Sequence, residues 1–129
     1  YHIARYAVLL CYLGEPEKAM VQIKRAMRID PFCSDLVLET EGLCYFVSGD
    51  FESATASFKK MQIETRTSLF YTAASLRKIG KSEDAKKVLK VAQTESGMEN
   101  EKFVSSQLFQ RESDKSSLSG ALEEIQASL

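Results

Sequence analysis

Three glycines, Gly14, Gly49 and Gly80, each stand within the same pattern of neighbours. Five residues after each comes an alanine (Ala19, Ala54, Ala85), and nine after comes a large apolar residue (Ile23, Phe58, Leu89). Seven before comes a very small residue: Ala7, Gly42 or Ala73. Four before comes Leu10, Tyr45 or Leu76, and eleven before comes Ile3, Leu38 or Leu69. The glycines are separated by 35 and then 31 residues. A period in this range marks an array of helical repeats, in which each unit buries its apolar face against its neighbours.

Each unit reads as two helices joined by a tight turn. The glycine ends the first helix, where a left-handed residue favours the absence of Cβ. Pro16 suits the first turn of the following helix in unit one, and Asp50 and Ser82 are the expected N-caps in units two and three. Apolar stripes at helical spacing follow: Ala19, Ile23, Ala26 and Met27, then Phe51, Ala54, Phe58 and Met61, then Ala85, Val88, Leu89 and Ala92. The opposite faces carry Lys18, Lys24, Arg25, Arg28, Lys59, Lys60, Lys86, Lys87 and Lys90, which read as solvated outer surface. The small residues before and after each glycine are expected to face each other and let the two helix axes approach closely.

Composition narrows the function. At 129 residues and a formal charge of −1, the chain has the length of one domain and no electrostatic case for nucleic acid or anionic lipid. Cys11, Cys33 and Cys44 show no paired spacing and read as reduced thiols in a cytoplasmic protein, used as small apolar residues. The single histidine, His2, leaves no metal-ligand set and no nucleophile–base pair, so no metal, no cofactor and no catalytic residues are expected. Glu39 with Glu41, and Glu123 with Glu124, fall on different helical faces and read as solvated. The apolar run Ala7–Leu13 is far short of a membrane span. The pattern opens inside the first helix of a unit and without methionine, giving the expectation that the chain is the C-terminal part of a longer protein.

The spacing resembles that of the tetratricopeptide repeat, a helix–turn–helix unit of about 34 residues. Ala7, Leu10, Gly14, Ala19, Ile23, Ala26 and Pro31 match its signature in unit one, and Gly42, Tyr45, Gly49, Ala54 and Phe58 in unit two. Ala73, Leu76, Gly80, Ala85, Leu89 and Ala92 match in unit three. The resemblance implies an all-α fold of helical hairpins stacked into a right-handed superhelix. The units span about 1–33, 34–65 and 66–97, followed by C-terminal capping or docking helices over 98–129. Met61 and Arg66 depart from the usual alanine and proline. The 31-residue step is about three residues short of the family length, so a truncated second helix or an abrupt turn is expected between Met61 and Ser68.

Beyond Gly97 the template stops and serine becomes frequent. Two short helices are predicted. The first covers about Asn100–Phe109, with Phe103, Val104 and Leu108 as its apolar contacts. The second covers about Lys115–Ser128, capped by Asp114, with Leu118, Ala121, Leu122, Ile125 and Leu129 as its seam. Such helices cover the open end of a stack. Asp114 followed by Leu118, Ala121, Leu122 and Ile125 is also similar to the C-terminus of bacterial signalling proteins that carry these repeats. There the repeats follow an adenylate cyclase-like or winged-helix domain.

In the resemblance, the first helix of each unit lines a concave groove. The corresponding positions are Arg5, Val8 and Tyr12, then Glu39, Leu43, Phe46 and Val47, then Phe70, Ala74, Arg77 and Lys78. Apolar and aromatic residues flanked by charges suit a protein or peptide ligand, extended or helical. The C-terminal helices could instead fold back into this groove. No asparagine occupies a groove position, Asn100 being the only one, so a carboxylate clamp for chaperone tails is not expected. The leading reading is a non-catalytic protein-interaction module with neither nucleic acid nor membrane as partner. A homodimerisation element of an adenylate cyclase-like enzyme and an RNA-binding helical repeat are the alternatives.

Overall fold

In the computed structural model, which describes residues 2–129, Gly14, Gly49 and Gly80 each close a helix with a left-handed backbone, at φ of 78°, 84° and 87°. The turns repeat bond for bond. The amides of Glu15, Asp50 and Lys81 donate to the carbonyls of Leu10, Tyr45 and Leu76, each at 2.9 Å. The glycine amides donate to Cys11, Phe46 and Arg77 at 3.1, 3.1 and 3.2 Å. These paired bonds form the Schellman arrangement, and they explain why a glycine recurs here.

The described residues form eight α-helices and no strand, so the chain is all-α. They are α1 (His2–Tyr12), α2 (Pro16–Ile29), α3 (Asp35–Ser48), α4 (Phe51–Lys59), α5 (Arg66–Lys78), α6 (Ser82–Ser96), α7 (Asn100–Ser106) and α8 (Glu112–Ala127). Helices α1 and α2, α3 and α4, and α5 and α6 pair as hairpins. Successive hairpins pack α2 on α3 and α4 on α5, while α1 touches α3 and α3 touches α5. Ala7, Ala19, Ala54, Ala73 and Ala85 are fully buried, at 0% exposure. At Gly42 a Cβ would lie 2.5–2.8 Å from three ring carbons of Phe58, so the second hairpin closes on a residue with no side chain.

The shortened step has a local structure. Helix α4 has 9 residues, against 14 in α2 and 15 in α6. The chain after it is fastened by the Asp35 carboxylate, which accepts from the amides of Gln62 at 3.0 Å and Ile63 at 2.9 Å. Thr65 and Ser68 then form a reciprocal capping box that starts α5.

Pro16 opens α2, and the Asp50 side chain caps α4 by accepting from the Ser53 amide at 3.2 Å. Other local expectations need correction. Helix α6 is preceded by Lys81 rather than capped by Ser82, which is its first residue. Helix α7 stops at Ser106, leaving Leu108 in the connection and 68% exposed. Helix α8 begins at Glu112, so Asp114 lies inside its first turn instead of capping it. Arg111 grips Asp114 with two hydrogen bonds, of 2.9 and 3.1 Å. Leu118, Ala121, Leu122 and Ile125 form the buried seam of α8, whereas Leu129 is 47% exposed.

Candidate partner-binding groove

Helices α1, α3 and α5 present the face on which the groove residues were placed. Their surroundings divide into three groups. Arg5 and Lys78 are exposed, with the Lys78 ammonium 5.8 Å from the centre of the Phe51 ring. Val8, Tyr12, Glu39, Val47 and Arg77 are half-buried, while Leu43, Phe46, Phe70 and Ala74 are buried.

The chain's own C-terminal segment covers part of this face. Helix α8 packs on α5, α6 and α7. The ring of Phe103 stacks on Phe70, with centroids 4.2 Å apart, and meets Tyr71 edge-on at 5.7 Å. The connection between α7 and α8 then crosses to the end of α1. There Phe109 meets Tyr12 edge-on at 5.1 Å, and the Gln110 amide donates to the Tyr12 carbonyl at 2.8 Å. The Gln107 side-chain oxygen accepts from two phenols, Tyr12 at 3.0 Å and Tyr71 at 2.8 Å. Arg77 pairs with Glu124 of α8 at 2.8 Å. The structure therefore takes the fold-back arrangement at Tyr12, Phe70 and Arg77, while Arg5, Val8 and Lys78 make no hydrogen bond or ion pair to the tail.

Electrostatics follow burial. The Tyr71 phenol is 0% exposed, and loss of solvent pushes its pKa well above the ordinary value. Tyr12 is raised for the same reason. Both phenols are thus neutral donors, which suits the shared acceptor on Gln107. Burial also raises the Glu39 carboxyl, against the lowering effect of the hydrogen bond donated by Thr65. Glu41 is not the solvated side chain its spacing suggested: it is 5% exposed, accepts from Ser57 at 2.8 Å and lies 3.6 Å from the Lys24 ammonium, linking three helices.

Tyr71, Phe103, Gln107 and Phe109 escaped the groove assignment. Tyr71 follows Phe70 directly and points to the same aromatic cluster from the next position of α5. The one signal available was the aromatic content of a serine-rich tail, since Phe103 and Phe109 are out of place in a solvated linker. Among the described residues no group of three or more His, Cys, Asp or Glu is arranged to hold a metal, and no helix is long and apolar enough to cross a membrane. A cleft of about 990 Å³ between the end of α6, α7 and the end of α8 lies apart from the groove, lined by Gln93, Met98, Asn100, Val104 and Glu123 among others. No family model, no curated protein and no solved structure matches this chain.

Proposed function

We propose that this chain is a non-catalytic protein-interaction module of tetratricopeptide type, its hairpins stacked in a right-handed superhelix. The groove takes a peptide or partner helix, and the module serves as the cytoplasmic, C-terminal regulatory part of a larger bacterial signalling protein. The observation that carries this reading is the seat of the tail itself. An aromatic segment is held by a phenol pair, a stacked ring and one main-chain hydrogen bond, which is how a groove holds a peptide. A partner segment of the same chemistry, with an amide side chain two residues before an aromatic, competes for these contacts.

The test uses a labelled synthetic peptide with the sequence of residues 100–111. Its binding is followed by fluorescence anisotropy to the full chain carrying Phe103→Ala and Phe109→Ala, with folding checked by circular dichroism. Saturable binding that is lost when the same two phenylalanines of the peptide become alanine supports the proposal. A folded variant that ignores the peptide at millimolar concentration removes it.

One observation favours a second reading, homodimerisation. Tyr6 and Leu9 on α1, with Leu13 in the turn after it, are 51%, 53% and 45% exposed. A patch of three side chains falls well below the roughly 800 Å² per partner of a stable interface, which ranks this reading second. Sedimentation equilibrium of the parent and of Leu9→Glu separates the two, since a dimer through this patch dissociates in the variant.

A further inference from the structure

We propose that Cys11 and Cys44 are a redox modification site, closing to a disulfide that ties the first hairpin to the second. The two thiols come from α1 and α3, which pack directly on each other, and their sulfurs lie 3.3 Å apart. Both residues are 0% exposed, and neither takes part in the groove. A disulfide needs its sulfurs about 2.05 Å apart, so the pair at 3.3 Å has little more than 1 Å to close. Cysteine used only as a small apolar residue has no need of a second thiol in contact with it. Cys33, the remaining thiol, is half-buried in the turn before α3.

Burial sets the kinetics. The hydrogen bond to Cys44, and then burial, push the Cys11 thiol up, so Cys11 holds little thiolate while the pair stays buried. Reaction waits for α1 to lift. That helix buries four of its residues, against seven in each of α3 and α5, so it is placed to open before them.

The oxidant is a peroxide. One sulfur attacks a peroxide oxygen, the O–O bond breaks, and the departing hydroxide leaves as water with the thiol proton. The product is a sulfenic acid. The second sulfur attacks that sulfur, the S–O bond breaks, and hydroxide leaves with the second thiol proton as another water. Two thiols are oxidised and one peroxide is reduced. The resulting staple encloses the chain between Cys11 and Cys44 and restricts the unfolded ensemble. It is expected to raise Tm by roughly 10 °C.

The test treats the full chain carrying Cys33→Ser with hydrogen peroxide, removes the oxidant, denatures the protein and alkylates it with a maleimide. The expected product is a monomer lighter by two hydrogens, without maleimide. Its peptide map joins Cys11 to Cys44, its Tm is raised, and dithiothreitol reverses all three changes. Two maleimide adducts after exhaustive oxidation, or oxygen added to sulfur without a cross-link, overturns the proposal. So does an equal rise in Tm when Cys44→Ala is added to the same background.

Discussion

Replacing Gly42 by alanine sets two opposed effects against each other. An alanine in the middle of α3 favours the helix by about 1 kcal/mol over glycine. Its methyl, however, would sit 2.5, 2.6 and 2.8 Å from Cε1, Cζ and Cδ1 of Phe58, where carbon atoms normally rest about 3.5–4.0 Å apart. Phe58 is only 5% exposed, so its ring cannot swing out to solvent without leaving the core. Overpacking of this kind costs about 1–3 kcal/mol. The net expectation for Gly42→Ala is a loss of about 1 kcal/mol, or a Tm lower by about 3–5 °C. In a Phe58→Leu background the ring atoms are gone, so the same substitution becomes neutral or stabilising, with a coupling energy of about 2 kcal/mol. Urea denaturation followed by circular dichroism, on the four proteins of the cycle, measures both quantities. A Gly42→Ala that stabilises equally in both backgrounds refutes the close approach of α3 and α4.

The remaining predictions concern the turns, the tail and one carboxyl. Gly49→Ala forces a methyl into the left-handed region with nothing within 4 Å to strike, so backbone strain alone should cost about 1–2 kcal/mol in thermal melts; an unchanged Tm contradicts the Schellman turn. Gln107→Ala leaves the buried Tyr71 phenol without its acceptor, lowering stability by about 1–3 kcal/mol and speeding tryptic cleavage after Arg111, whereas unaltered protection speaks against the bridge. Glu39 has a folded pKa raised by burial, so stability is lost as pH climbs from the unfolded to the folded pKa, and the penalty is absent below the unfolded pKa. Glu39→Gln should therefore raise Tm at pH 7 and lose that advantage in acid, and a constant difference across the titration rejects the assignment.

The turns were legible because glycine takes a left-handed backbone without strain, and Gly14, Gly49 and Gly80 share one pattern of neighbours that Gly42, inside α3, does not. The shortness of α4 was legible from arithmetic between two intact templates. Asp114 is no cap because α8 begins at Glu112, and its carboxylate is taken by the Arg111 side chain instead of a backbone amide. Leu108 and Leu129 leave the apolar seams because helical spacing assigns a face only while the helix continues, and α7 ends at Ser106 and α8 at Ala127. Which side chains of the groove would be covered depended on contacts such as Tyr71 with Gln107, separated by 36 residues and invisible to any periodicity.

The central structural claim is that the C-terminal segment lies on the face formed by α1, α3 and α5. Nuclear Overhauser spectroscopy on aromatic-labelled protein reads it directly. The account predicts cross-peaks between the rings of Phe103 and Phe70, whose centroids are 4.2 Å apart, and between Phe109 and Tyr12 at 5.1 Å. Absence of both, with sharp random-coil signals from residues 107–111, would contradict it.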